Sequence, residues 1–377
     1  MKKKILFISH EASLTGAPIL LLNLINLIKE DGNYAIKIIV KKEVGTLLND
    51  FMKAGDTLVW RKPYQPTLFN RISKRLLPTL QLEKKNDKVI QRWIDECDMV
   101  VSNTITNGDF FKAFDFSKVS LVLSYIHELE FNTGYCTTLQ NISYVTCATH
   151  KFLVPAQAVA KHLITNLNIA PKKISQLNYY IPFKADGNII TNKKDKIFTV
   201  GLIGQLYWRK GADILAIIMS YFFKKYPDAQ VKFIWKGAIK ESLEYKRVSY
   251  ELAKLNLSNK ILFEPPSKDV SDFFQSIDVL LLCSKEDPYP LVVLEAASYC
   301  KPCICFSDAG GMPEFVQDDA GDVVPYLDIE SLAESIYSYY NNPKKRIERG
   351  AIAYTRYKAL HLNKELILKQ FENTFNV

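Results

Sequence analysis

Two carboxylates stand eight positions apart around a proline-bearing turn: Asp287 and Glu295 in SKEDPYPLVVLEAASYC, with Glu286 beside the first. Pro290 suits a first helical position, where its missing N–H costs nothing. The amides of Leu291, Val292 and Val293 then lack intrahelical acceptors and make an anion site suited to a diphosphate. Glu295 falls in a helix that is apolar on nearly every side, LVVLEAA, and a carboxylate buried there needs hydrogen-bond donors. A ribose diol supplies two; the other readings put Glu295 on a solvated stripe or against a neighbouring loop. Arg209 and Lys210, in GQLYWRKGAD, place two cations on a turn between a strand and a helix. They face either a phosphate or plain solvent. The loop HEASLTGAP carries Gly16, which allows a ligand close to the backbone or makes a simple tight turn. YIHELE ends a strand with His127 and Glu128, and a histidine there is a functional candidate or a satisfied structural residue.

These loops need strands that end beside them. ILFISH (5–10), AIKIIV (35–40), MVVSN (99–103) and SLVLSYIH (120–127) are short apolar runs, each followed by a helical pattern. Such runs indicate a parallel sheet covered on both faces. The polar stretch 184–196 reads as a boundary, after which the alternation returns with strands at 197–204, 231–235, 260–264, 279–284 and 303–306 and the strand-like DVVPY. Charged helices are expected over 328–341 and 344–374. Two βα-alternating parts in 377 residues predict two doubly wound α/β domains, over 1–190 and 195–355, facing a central cleft. Ligands of such sheets bind beyond the carboxyl ends of the strands.

With 48% hydrophobic and 24% charged residues the chain is neither disordered nor fibrous, and it has no apolar stretch of membrane-spanning length. The start reads as a strand rather than a secretory leader. The seven cysteines are odd in number and scattered, which favours reduced thiols and a cytoplasmic protein. No fourth ligand or histidine accompanies Cys300, Cys303 and Cys305, so no metal is expected.

The acid-x7-Glu spacing of Asp287 and Glu295, set between strand and helix, resembles the motif of glycosyltransferase family 4. These are retaining nucleotide-sugar enzymes of GT-B fold, two Rossmann-like domains around a cleft. The resemblance implies that the first acid contacts donor-sugar hydroxyls and that Glu295 holds the ribose. The family has Glu where this chain has Asp287, with Glu286 adjacent. GQLYWRKG is similar to the family's Gly-Arg-Leu…Lys-Gly segment, whose Arg and Lys bind the donor diphosphate. Lys210 matches, the Arg position holds Gln205, and Arg209 is the substitute cation. By the same resemblance the Gly16 loop lies near donor phosphates and acceptor, and His127 with its following acid lies near the donor sugar. SDAGGMPEFV resembles a small-residue loop that brings Gly311 and Glu314 to the donor side. NYYIP (178–182) stands where members have Asn-Gly and receives no role. His127, Asp287 and Lys210 are the catalytic candidates. The resemblance implies front-face retention with no side-chain nucleophile. A UDP- or GDP-linked sugar is then the co-substrate, with no cofactor, and the C-terminal segment 356–377 returns to the first domain. Asp-x-Asp, the metal–diphosphate motif of the other main glycosyltransferase fold, is absent. A sugar-nucleotide epimerase of the same architecture and a non-catalytic nucleotide-binding subunit are the alternatives.

The net charge of +9 lies wholly in the first half: residues 1–195 hold 26 Lys+Arg and 17 Asp+Glu, the rest 23 of each. This points to an anionic partner there. Residues 60–92 concentrate nine Lys+Arg against two acids, and Arg71, Lys74 and Arg75 mix with apolar residues in a pattern that forms either a basic amphipathic helix at an anionic membrane surface or a solvated face. No nucleic-acid motif occurs. The expected partners are therefore a nucleotide-sugar donor, a glycan or lipid-linked acceptor and an anionic inner membrane face, within bacterial surface polysaccharide synthesis.

Overall fold

The computed structural model describes residues 2–61, 78–182 and 197–375. Two compact units emerge: Met1–Ile181 with Lys364–Val377, and Pro182–Asn363. The expected boundary segment 184–196 and the residues Arg71, Lys74 and Arg75 lie outside the described residues.

The first unit holds a seven-stranded sheet in the order β3-β2-β1-β4-β5-β6-β7, every pair parallel. Its strands are β1 (Lys3–Ser9), β2 (Tyr34–Lys42), β3 (Asp56–Arg61), β4 (Met99–Asn103), β5 (Leu121–Tyr125), β6 (Lys151–Val154) and β7 (Ile174–Gln176). The central β4 and β5 are buried at every position, because helices cover both faces of a parallel sheet. Leu6, Ile8, Val100, Val122, Phe152 and Phe110 share one core cluster. The sequence pattern misses β3, β6 and β7. In β3 only Trp60 is buried, β6 is four residues long, and β7 has no buried residue, so none shows a long apolar run.

The second unit repeats the plan with β8 (Phe198–Ile203), β9 (Val231–Lys236), β10 (Ile261–Glu264), β11 (Val279–Leu282), β12 (Cys303–Phe306) and β13 (Gly321–Val324), ordered β10-β9-β8-β11-β12-β13 and all parallel. In both sheets the order reverses beside the first strand of the unit, between β1 and β4 and between β8 and β11. Crevices form at such reversals, and there the loops with the candidate residues emerge.

The helix expected over 344–374 is two helices, Pro343–His361 and Lys364–Glu372. Residues 356–361 stay with the second unit: Arg356 donates to both carboxylate oxygens of Asp319 at 2.7 and 2.9 Å, and the His361 ring meets the Tyr289 hydroxyl at 3.0 Å. The chain joins the first unit from Lys364, which pairs with Glu30, and Gln370 accepts the Asn178 amide at 3.0 Å. All seven cysteines are free, and among the described residues no helix is long and apolar enough to cross a membrane.

Candidate functional site

In the second unit the loops after β8 and β11 meet. Gly211 sits at φ 77 with its α-carbon against the Cys283 carbonyl, where any side chain would collide. That close approach brings the turn Trp208–Lys210 alongside Lys285–Asp287, and the Lys285 amide donates to the Arg209 carbonyl at 2.8 Å. The Asp287 carboxylate is buried and accepts from the Lys210 ammonium and from Ser284 Oγ at 3.3 Å, with Arg209 Nη1 at 3.4 Å. Arg209 also donates to the Glu286 carbonyl at 2.7 Å. A buried carboxylate needs such partners, and two cations on one acid leave a net positive cluster. The Glu286 side chain is half-buried and adds to the electrostatic field that raises the Tyr326 hydroxyl, after burial itself. Of the two neighbouring acids, then, Asp287 holds the cations.

The helix Leu291–Ser298 begins next to this cluster. Pro290 is its N-cap rather than its first turn, and Val293 donates to the Pro290 carbonyl at 3.2 Å. Two open amides remain, Leu291 and Val292, rather than the three expected. Glu295 is half-buried, and no described residue bonds its carboxylate; burial alone pushes it up to about 7. It does not lie on a solvated stripe. Asp287 N donates to Ala309 O at 2.6 Å and Gly311 N to Pro288 O at 2.9 Å, so the loop bearing Gly311 and Glu314 is stitched to the Asp287 turn. Gly311 caps the helix Met312–Val316, and Glu314 lies in its first turn.

In the first unit a second cluster gathers at the ends of β1, β4 and β5. Asn103 Nδ2 donates to the Ala17 carbonyl at 2.8 Å, so its Oδ1 is the atom that faces His127 Nε2 at 2.7 Å. Nε2 must therefore carry the ring proton, and Nδ1 accepts from the Tyr179 hydroxyl at 3.0 Å. Burial, with a smaller contribution from the His10 ring, lowers His127 to about 3. The ring is neutral, locked in one tautomer and engaged at both nitrogens. With both ring nitrogens engaged, His127 has no free nitrogen for a proton transfer. Glu128 is buried, and its carboxylate accepts the amides of His127 at 2.9 Å and Ile105 at 3.3 Å. Burial raises it to about 7, partly opposed by those amides. Its work is to brace two loops. Gly16 is the exposed first residue of the helix Gly16–Asp31, whose N-cap Thr15 makes no side-chain cap and whose first turn has no acid.

Sequence reasoning missed Asn103, Tyr179, Thr104 and His10. Asn103 ends a strand as polar residues commonly do, and Tyr179 lies 52 positions from His127, so neither signals a pair. Thr104 adopts φ 81, ψ 153, a region nearly confined to glycine and costing about 1–3 kcal/mol. Strain of that kind collects where a backbone must serve a site.

Fold and clusters together define a protein of two Rossmann-like units, one of which offers a positive crevice with open amides and an unpaired carboxylate. Residues 186–356 match the family of glycosyl transferases group 1, and residues 1–158 match glycosyl-transferase family 4. The chain belongs to these family 4 glycosyltransferases of GT-B fold. It is similar to a glycosyltransferase of Haemophilus influenzae, 30% identical over 148 residues that span 39% of this chain and 40% of that protein. It is also similar to the amylovoran biosynthesis glycosyltransferase AmsD of Erwinia amylovora, 23% identical over 64% of this chain and 69% of the relative. Among solved structures, HepE of Anabaena in complex with UDP superposes with a TM-score of 0.76 at 18% identity, covering 100% of this chain and 99% of that one. TarM gives 0.75 at 13% identity, covering 100% and 99%. At such identities the likeness concerns the fold.

Proposed function

We propose that the protein is a retaining glycosyltransferase that moves a sugar from a UDP- or GDP-linked donor to a glycan or lipid-linked acceptor. The observation that carries this reading is the arrangement after β11. The Lys210–Arg209–Asp287 cluster lies beside the open amides of Leu291 and Val292, and one helical turn further on Glu295 has no partner among the described residues. A nucleoside diphosphate answers each part. Its phosphates take the amides and cations, and its ribose hydroxyls supply the donors that the Glu295 carboxylate lacks.

Lys210 and Arg209 would stabilise the negative charge that grows on the leaving diphosphate, the largest single contribution in reactions of this type. They and the helix amides do what a divalent ion does elsewhere, so the proposed reaction is metal-independent. Attack from the same face as departure, with a leaving-phosphate oxygen taking the acceptor proton, retains configuration without a side-chain nucleophile. Asp287 already holds the cations, and the phosphate must share them. The first unit is proposed to carry the acceptor. Relatives named for amylovoran biosynthesis and for galactosyl transfer to a GlcNAc-diphosphoundecaprenol support a place in bacterial polysaccharide assembly; the further proposal is that the polysaccharide belongs to the cell surface and the protein to the inner membrane face.

Turnover of UDP-, GDP- and dTDP-sugars, with nucleotide release measured with and without a lipid-linked glycan acceptor, tests the reading. Acceptor-dependent release of one nucleotide is expected, lost in Glu295→Ala and Lys210→Ala. Unchanged turnover in both variants, or an isomerised sugar formed without acceptor, would overturn it.

A further inference from the structure

The turn 287–290, from which the helix Leu291–Ser298 starts, is fastened from far along the chain. Pro288 and Pro290 carry no N–H, so this stretch has few backbone donors to spend. Asp287 N donates to Ala309 O, and Pro288 O accepts from Gly311 N, which ties the turn to the loop after β12. A further tie is the Tyr289 side chain. It is buried, and its hydroxyl meets His361 Nε2 at 3.0 Å. His361 is buried as well and ends the helix Pro343–His361, 72 positions further on. Burial raises the Tyr289 phenol well above its ordinary value, with Glu314 pushing the same way and Arg356 opposing, so the hydroxyl is uncharged at pH 7.

The same helix holds the neighbouring loop of the crevice. Arg356 donates through Nη1 to the Phe315 and Val316 carbonyls at 2.7 and 3.2 Å, and through Nη2 to both Asp319 oxygens. Those carbonyls close the short helix Met312–Val316 that bears Glu314, and the Phe315 ring lies 5.8 Å from the His361 ring. One helix thus fastens both loops that border the Lys210–Asp287 pair. Backbone stiffness carries the Tyr289 anchor onward. A residue before proline is confined to extended backbone, and Pro290 fixes its own φ, here −67. Holding the Tyr289 ring therefore aims the start of the helix, and with it the Leu291 and Val292 amides.

We infer that His361, acting through the Tyr289 hydroxyl, is a positioning residue that presets the Leu291 and Val292 amides for a diphosphate. The role rests on the nucleotide site proposed above and extends it to a residue that touches no ligand. Without the tether, the turn samples other directions in the free protein, and a diphosphate must order it on binding. With the tether in place that cost is met during folding, so affinity rises with no new ligand contact.

The test is titration calorimetry of the whole protein with UDP and, separately, with inorganic pyrophosphate. Tyr289→Phe keeps the ring and removes only the hydroxyl, while His361→Leu removes its partner. Both affinities are expected to fall about fivefold in either variant, and no further in the double variant, since one hydrogen bond is lost in all three. His361→Gln, which can still bond the hydroxyl, should recover most of the loss. Melting without ligand accompanies each titration, at a temperature where every variant is folded. Unchanged affinity in Tyr289→Phe would overturn the role whatever the melting shift, because a merely structural bond moves stability alone. Losses that add in the double variant would overturn it too, and if His361→Leu does not fold, Tyr289→Phe and His361→Gln still decide. Unaltered protein that binds neither probe sinks the nucleotide site and this role together, whereas binding that no variant weakens sinks this role alone. Acceptor-dependent turnover reports on the transferase reading separately, because the titrations need no catalysis.

Discussion

The two units end their sheets in the same way and fill the resulting crevices with opposite chemistry. After β8 and β11 stand full charges: Lys210, Arg209 and Asp287 locked together, with open amides beside them. After β1, β4 and β5 the buried groups are hydrogen-bonding rather than cationic: His127, Tyr179, Asn103 and a Glu128 carboxyl that burial pushes up to about 7, with a neutral His10 ring beside Glu11. A strand-order reversal supplies only the crevice. What it binds depends on whether the loops bring cations that a phosphate can share.

Removing charge from the second unit should therefore cost most. Lys210→Ala is expected to lower nucleotide-sugar turnover by about 10²–10³-fold in a nucleotide-release assay, a loss of that order being usual when one preorganised charge partner is removed. An effect under tenfold would mean that Arg209 alone carries the diphosphate.

Glu295→Gln separates binding from stability. The folded value, about 7, lies above the ordinary 4.5, so the carboxyl's contribution is fully present below pH 4.5 and lost as pH rises through 7. At pH 8 the glutamine should raise the stability of the ligand-free protein by on the order of 1–3 kcal/mol, since no buried charge remains, while weakening UDP binding. Chemical denaturation at pH 5 and pH 8 reads the first, with the larger difference expected at the higher pH. Titration calorimetry with UDP reads the second.

In the first unit the corresponding carboxyl is structural, and its variants should divide differently. Glu128→Ala strips the acceptor from the His127 and Ile105 amides and should destabilise by about 1–3 kcal/mol at pH 5. Glu128→Gln keeps an oxygen there and should be milder. Because Glu128 is also raised to about 7 from 4.5, its favourable contribution too fades as pH climbs through 7, and Glu128→Gln should gain on the parent protein between pH 5 and pH 8. Equal pH profiles for the two would show that the carboxyl is already charged at pH 5.

The smallest change is Tyr179→Phe, which leaves His127 Nδ1 without its donor. A loss of about 1 kcal/mol is expected, read as a melting shift. With Nδ1 unpaired, His127 should still keep Nε2–H through Asn103, which imidazole ¹H–¹⁵N spectra report.

Much of the second unit could be read directly from the chain. Strand, Pro290 turn, helix and Glu295 lie within a short stretch, so local pattern and local geometry coincide, and the loop carrying Lys210 announces itself by two adjacent cations. The first unit resisted for a physical reason. Its cluster draws His10, Asn103, His127 and Tyr179 from four separate segments, and a neutral hydrogen bond leaves no mark in composition. The resemblance puts the return of the chain at 356, whereas it comes after Asn363, because Arg356–Asp319 and His361–Tyr289 hold residues 356–361 to the second unit.

By itself the sequence determined the alternation of apolar strands and helices, hence two parallel sheets, and the order of charged residues at their ends, since both are local properties of consecutive residues. The tertiary structure decided protonation and partnership: that Asp287 rather than Glu286 holds the cations, that Glu295 stands unpaired among the described residues, and that both nitrogens of His127 are engaged while His10 Nδ1 meets no described partner. Those outcomes depend on burial and on neighbours brought from elsewhere in the chain, where a lost hydration shell must be replaced atom by atom.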